Sequence, residues 1–78
     1  MNPRVKKVYP LQGYKLKIEF ANKEIKLFDM SPYINIGVFK ELQDEKIFNT
    51  ASESLGTVVW KNGQDLCPDT LYLDSKPV

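Results

Sequence analysis

The sequence predicts a single α+β domain over residues 1–78, with a small antiparallel sheet of about four strands. Two observations support this prediction. From Tyr14 onward, apolar and charged residues alternate as they do in strands that have one face in the core. Between residues 38 and 48 the apolar residues change to a spacing closer to that of a helix. We expect a three-stranded N-terminal meander, then short helices, and finally a C-terminal strand and a short helical turn.

The clearest element is the hairpin in YKLKIEFANKEIKLF. A two-residue turn at Asn22-Lys23 is expected to pair its two strands. This register places Phe20 opposite Ile25, so that apolar residues of both strands share one face. Further pairs in the same register are Ile18 with Leu27 and Glu19 with Lys26.

Another strand precedes the hairpin in RVKKVYP. It is joined to the hairpin through PLQG, where Pro10 and Gly13 are expected to be turn residues. Val5 and Val8 fall on opposite faces of a regular strand. The register of this strand therefore stays open, and a β-bulge between the two residues would bring both to one face, because it adds one residue to the strand.

The middle of the chain predicts short helices. Ser31 is a typical N-cap and Pro32 a typical first helical residue, so a short helical turn is expected to end at Gly37. Asp44 is expected to cap a second helical piece. The apolar residues at helical spacing are Val38, Phe39, Leu42, Ile47 and Phe48, and the last four are expected to pack on the sheet.

The last third begins with the polar turn SESLG and continues as a strand from Thr57 to Trp60. Asn62-Gly63 predicts a turn, because both residues accept a positive φ. Pro68 is then expected to begin a short helical turn that places Leu66 and Leu71 beneath the sheet.

The composition excludes several classes of enzyme. The chain has no histidine and one cysteine, which rules out His-based triads, His-bearing zinc sites and internal disulfides. No apolar segment approaches the roughly 18 residues of a membrane span. We therefore expect a cytoplasmic protein with no enzyme activity, no cofactor, no bound metal and no membrane contact.

The segment WKNGQDLCPDTLY holds most of the chemically suggestive residues. Two interpretations stay open: the segment closes the core, or it displays Trp60 and its carboxylates to a partner protein. The proline between Asp65 and Asp69 argues against a joint acid/base or cation site. Cys67 is expected to be a half-buried small hydrophobe. The candidate protein-binding residues are Trp60, Asn62, Gly63, Asp65, Pro68, Asp69 and Tyr72.

A second candidate surface is a sheet face that carries Lys15, Lys17 and Lys26. Lysines suit phosphate groups, so nucleic-acid binding is the alternative function. Phe28 is the clear aromatic candidate on the same face, and the plainer interpretation is a solvated face that protects the sheet. A net charge of +1 is too small to favour nucleic acid by itself.

The segment TVVWKNGQDLCPDTLY resembles the ending W-P-N-G-x-D-x-x-P-x-x-L-Y of domain-of-unknown-function family 2442, which is small and mostly bacterial. The hairpin, the Phe28-Asp29 pair after it and the pattern F-x-x-L-x-D-x-x-x-F are similar to the same family. Lys61 stands where the family usually has proline, and Asn22-Lys23 replaces its commoner Asp-Gly turn.

The resemblance implies a small α+β fold and no established activity. Similar members occur fused to helix-turn-helix modules, or beside another small protein in an arrangement like a toxin and antitoxin pair. We therefore expect a non-enzymatic protein-interaction or regulatory module, the antitoxin-like member of a two-gene pair. Its expected partner is a small protein encoded by the adjacent gene.

Overall fold

The α+β class is confirmed by the computed structural model, which describes residues 2–78. Val38 is one of the apolar residues at helical spacing, and its side chain lies outside the described part of the chain. No helix within residues 2–78 is both long and apolar enough to cross a membrane. The elements are, in chain order, β1 (Val5–Leu11), β2 (Lys15–Phe20), β3 (Ile25–Asp29), a 3₁₀ helix (Gly37–Gln43), α1 (Glu45–Phe48), β4 (Ser52–Ser54), β5 (Thr57–Val59), α2 (Pro68–Asp74) and β6 (Lys76–Pro77).

Four strands form the main sheet in the order β1-β2-β3-β6, with antiparallel neighbours. This arrangement confirms the N-terminal meander. The strand expected from Thr57 to Trp60 is present as β5, but it pairs with β4 in a separate two-stranded sheet, and β6 takes the fourth place. The segment SESLG is therefore part of a hairpin. Leu55 and Gly56 both adopt the positive φ that its two-residue loop requires.

Leu55 has an unfavourable backbone conformation at the tip of this hairpin, with a φ of 52° and 93% of its surface exposed. Asparagine populates this left-handed region far more readily than leucine. We expect Leu55→Asn to raise the free energy of unfolding by about 0.5–1 kcal/mol in urea denaturation. Leu73→Asn, at an exposed helical position in α2, is the control and is expected to give no gain. A Leu55→Asn variant no more stable than the parent would contradict the prediction.

The register of the β2–β3 hairpin differs by one residue from the expected one. Glu19 pairs with Ile25, so the predicted pairing of Phe20 with Ile25 is wrong. The loop has three residues: the N–H of Phe20 donates to the carbonyl of Glu24 at 2.8 Å, and Lys23 has a φ of 75°. A loop with a single left-handed residue suits this sequence better than a two-residue loop, which needs a positive φ at two residues in a row.

A shift of one residue exchanges the two faces of β3. Phe28 is 1% exposed and lies in the core, whereas Ile25 is 43% exposed and points away from it. Leu27 shares the outer side with Ile25, and Lys26 shares the inner side with Phe28. The faces predicted for these four residues are therefore wrong.

β1, whose register the sequence leaves open, has a register shift between Val5 and Lys7, as a β-bulge would give. Val5 is buried, and Val8 packs partly buried against the same core. Pro10, expected in a turn, belongs to β1 instead. β1 is an edge strand of the main sheet, where a residue without an N–H is tolerated. Gly13, with a φ of 77°, lies in the following turn as expected.

Asp29, and not Ser31 as expected, caps the turn that follows β3. The Asp29 carboxylate accepts hydrogen bonds from the hydroxyl of Ser31 and, at 2.9 Å, from its backbone N–H. These two bonds lower the pKa of Asp29, because they favour the charged carboxylate. Gly37 ends this turn with a φ of 48° and begins the 3₁₀ helix. The capping role of Asp44 is confirmed, since it accepts from the N–H of Lys46 at 3.0 Å.

The helical segments pack on one side of the main sheet. Leu42 and Phe48 are buried in the core, and Phe39 and Ile47 are partly buried against it, as expected. The other side of the sheet carries exposed and half-buried side chains, and we call it the outer face. Its residues are Lys7, Tyr9, Leu11, Lys15, Lys17, Glu19, Ile25, Leu27, Asp29, Lys76 and Val78.

Candidate functional site

Trp60 lies in the core at the end of β5 and is 3% exposed. Its indole N–H donates to the carbonyl of Phe48 at 3.0 Å, and the two rings lie 6.1 Å apart. Core closure is therefore the correct interpretation for Trp60, and its display to a partner is wrong. Because a buried indole needs a hydrogen-bond acceptor, this contact also joins β5 to the end of α1.

The turn at Asn62 and Gly63 is confirmed by the φ of 92° at Gly63. The side-chain oxygen of Asn62 accepts from the N–H of Gln64 at 3.2 Å, and its amide nitrogen donates to Glu41 at 3.1 Å. The turn is therefore tied to the 3₁₀ helix that contains Glu41. Asp65 follows in an isolated β-bridge, with its side chain exposed.

α2 begins at Pro68, as the sequence predicts, but it is longer than a single turn and extends over Pro68–Asp74. Asp69 lies in its first turn and accepts a hydrogen bond from the side chain of Asn2 at 3.2 Å. Leu66 and Leu71 are buried, as expected. The helix therefore contacts the core on one side and the N-terminal segment on another.

Cys67 immediately precedes α2 and is exposed, so its expected half-buried position is wrong. The backbone N–H groups of Thr70 and Asp69 lower the pKa of Cys67, because they favour the thiolate. These N–H groups are among those that the start of a helix leaves without partners in the helix.

Tyr72 connects α2 to the β2–β3 hairpin. Its hydroxyl donates to Glu24 at 2.5 Å, and its ring meets Phe20 edge to face at 5.0 Å. This hydrogen bond lowers the pKa of Glu24 and raises the pKa of Tyr72, because it stabilises the charged acid and the neutral phenol. Lys26 lies over the ring at 3.8 Å and donates to the carbonyl of Tyr72 at 3.0 Å.

The seven candidate residues of this segment do not form one exposed surface. Trp60 is buried, and the side chains of Asn62, Asp69 and Tyr72 turn towards three other parts of the chain. Their contacts fasten the C-terminal third to the 3₁₀ helix, the N-terminal segment and the hairpin. The segment is therefore mainly a structural feature.

Lys15, Lys17 and Lys26 do not share one face. Lys15 and Lys17 are exposed on the outer face, whereas Lys26 turns inward to Tyr72. Phe28, the aromatic residue expected beside them, is buried. Both differences follow from the one-residue shift of β3. The predicted nucleic-acid face thus keeps two lysines and loses its aromatic residue.

The outer face carries exposed apolar side chains, among them Ile25, which the expected register places in the core. Tyr9 is 45% exposed, Leu11 is 40% exposed, and Ile25 lies beside them. Together with Lys17 and Glu19 they line an open groove of about 370 Å³. The loop after β2 contains a sequence signal for this surface. It has Lys23 at a position where a two-residue turn favours glycine, so the two-residue turn is disfavoured. The register that buries Ile25 requires this turn and is disfavoured with it.

A second groove, also of about 370 Å³, lies towards the β6 edge of the outer face. Its apolar residues include Leu27 and Val78, and the nearby charged residues are Lys15, Asp29, Asp74 and Lys76. Each groove is thus bordered by one exposed lysine of β2, because Lys17 lines the first groove and Lys15 lines the second.

The charges on the strands of the main sheet are mostly positive. Lys6 lies 3.8 Å from Glu19 in a surface ion pair. Lys26 turns inward. The other charged residues of these strands are the lysines Lys6, Lys7, Lys15, Lys17 and Lys76 and the acids Glu19 and Asp29.

A family model described as "Protein of unknown function (DUF2442)" matches residues 5–77. The match covers nearly the whole chain, from the first residue of β1 to the last residue of β6. No curated protein and no solved structure matches the chain. The extent of the family match shows that the chain belongs to DUF2442, a family of proteins of unknown function.

Proposed function

We propose that the protein is a non-enzymatic module that binds another small protein through the outer face of its main sheet. The observation that supports this proposal is the group of exposed apolar side chains Tyr9, Leu11 and Ile25 on one open groove. Exposed apolar groups that cluster in one place are typical of surfaces that bind other molecules. Aromatic and aliphatic side chains with a charged rim are typical of protein interfaces.

The family resemblance supports a narrower form of the proposal. In this form, the partner is a small protein encoded by the adjacent gene, and the present chain regulates it as the antitoxin-like member of the pair. A binding role suits a chain without histidine, because binding requires surface area and not a general base.

Nucleic-acid binding has weaker support as the alternative. Nucleic acids need positive side chains, which Lys15 and Lys17 supply on the outer face. Single-stranded nucleic acid also favours aromatic side chains on which bases stack, and Tyr9 is the aromatic residue among the outer-face residues defined above. Leu11 and Ile25 suit an apolar protein surface better than a base or a phosphate.

The proposal is tested by co-expression with the product of the adjacent gene, size-exclusion chromatography and isothermal titration. We expect the parent chain to form a stoichiometric complex. The double variant Tyr9→Thr/Ile25→Thr is expected to bind at least about tenfold more weakly, because it removes apolar contact area while keeping residues that suit a strand.

The matched control is Ile36→Thr/Leu73→Gln, which replaces two exposed apolar residues that lie outside the outer face. This control is expected to bind like the parent. The proposal fails if the parent forms no complex, or if the Tyr9→Thr/Ile25→Thr variant binds as tightly as the control.

A further inference from the structure

We infer that the partner presents an acidic amphipathic helix, which lies along β2 with carboxylates on Lys15 and Lys17 and apolar side chains in the two grooves. The inference rests on the proposed function and names the chemistry of the partner. It follows from the shape of the outer face and from the distribution of its charges.

The shape of the face suits a helix. The first groove extends from β1 across β2 to Ile25 on β3, and the second extends from Lys15 on β2 over β3 to β6. Neighbouring strands lie about 4.8 Å apart, so β1 and β3 are separated by about 10 Å. A helix with its side chains has a diameter of about 10–12 Å and therefore spans this width. Its apolar side chains then reach Tyr9 and Leu11 on the β1 side of β2, and Ile25 and Leu27 on the β3 side.

The charges of the sheet suit an acidic partner. Apart from Lys26, the charged residues of the main-sheet strands are five lysines and two acids, a surplus of three positive charges. Both acids have partners within the chain, because Glu19 lies near Lys6 and Asp29 accepts from Ser31. The net charge of the whole chain is only +1, so the rest of the chain is negative and the sheet is its positive side.

The same charges disfavour a second copy of the chain on this face. Two outer faces brought together place their lysines opposite one another, and like charges in an interface oppose association.

Lysine side chains also have apolar stems that can lie over neighbouring apolar residues while their ammonium groups reach a carboxylate. Lys15 and Lys17 are therefore suited to a partner that carries apolar and acidic groups on the same surface.

Synthetic peptides of about 18 residues, long enough for about five helical turns, test the inference. The first is an amphipathic helix of leucine and glutamate, the second replaces glutamate with lysine, and the third is a scrambled version of the first. Binding is measured by fluorescence anisotropy at about 50 mM salt, where electrostatic contacts are weakly screened. We expect the first peptide to bind at least about tenfold more tightly than the other two.

The double variant Lys15→Glu/Lys17→Glu is expected to reverse this preference and to bind the basic peptide. Lys40→Glu/Lys61→Glu changes two exposed lysines outside the main sheet and is expected to keep the preference of the parent. Thermal unfolding of all variants shows whether each is folded, so that a loss of binding is not confused with a loss of structure.

Several outcomes overturn the inference. These are equal binding of the scrambled and amphipathic acidic peptides, an unchanged preference in Lys15→Glu/Lys17→Glu, or tighter binding of a DNA duplex than of any peptide. The inference also fails if the chain associates with itself and Tyr9→Thr/Ile25→Thr abolishes this association, because the outer face then binds a second copy of the chain. A natural partner could bind Tyr9→Thr/Ile25→Thr more weakly than the parent but bind Lys15→Glu/Lys17→Glu as tightly as the parent. This result leaves the proposed function intact and contradicts only the inference of an acidic helix.

Discussion

Replacing Trp60 with alanine is expected to leave most of the protein unfolded or close to unfolding at room temperature. The side chain is 3% exposed and packs against Phe48, so its removal leaves a large cavity in the core. Such substitutions of large buried aromatic residues cost about 3–5 kcal/mol. A domain of this size often has a total stability not much above that value. Circular dichroism during urea denaturation measures the loss.

Trp60→Phe separates the packing of the ring from its hydrogen bond. Phenylalanine keeps an aromatic ring in the core but cannot donate to the carbonyl of Phe48. We expect this variant to lose about 1–3 kcal/mol in the free energy of unfolding, because it leaves one buried acceptor without its donor. This loss is smaller than that of the alanine variant, because the ring still fills most of the space. If Trp60→Ala unfolds at the same urea concentration as the parent, the core position of Trp60 and the role of its segment in closing the fold are both wrong.

Phe28→Ala is expected to be the second most damaging substitution, with a loss of about 3–5 kcal/mol in the free energy of unfolding. Phe28 is 1% exposed, pairs with Leu16 across the sheet and stacks on Tyr33 with ring centres 5.7 Å apart. The next residue along, Leu27, is half-buried on the outer face. Leu27→Ala is expected to cost no more than about 1 kcal/mol.

The comparison of these two neighbours tests the register of the hairpin directly. In the alternative register, with Phe20 opposite Ile25, Leu27 belongs to the core and Phe28 to the outer face. The order of the two losses is then reversed. Chemical denaturation of both variants in parallel decides between the registers, since the overall stability of the parent cancels in the comparison.

Features that depend on a few neighbouring residues could be predicted from the sequence. The bulge follows from the spacing of Val5 and Val8, the cap of α1 from Asp44, and the start of α2 from Pro68. The turn at Asn62-Gly63 is of the same kind. Each is determined by local backbone chemistry, which a short segment of sequence expresses fully.

Features that depend on distant residues could not be predicted in the same way. β6 is only two residues long, and its place beside β3 follows from the path of α2 rather than from any strand signal. Lys26 reads as an outward residue, yet it faces inward because Tyr72, far along the chain, supplies a ring and a carbonyl for its ammonium group. An inward lysine hides the alternation that identifies the faces of β3.

The candidate site illustrates the same division. The residues of the C-terminal segment drew attention because of their chemistry, but Trp60, Asn62 and Tyr72 use that chemistry inside the fold. The apolar outer face was missed because its residues, Ile25 above all, look like core residues in the expected register. The register of the β2–β3 hairpin decides which apolar side chains of β3 are exposed. This register depends in turn on the loop that joins the two strands.

The position of β6 has a consequence for how the protein forms during synthesis. β3 leaves the ribosome well before β6, the strand that covers its edge. Until then, the hydrogen-bonding groups along that edge of β3 have no strand beside them, and an uncovered edge can pair with another chain. Contacts between such distant parts of a chain also form slowly. This edge of β3 is therefore open to wrong pairing until β6 emerges.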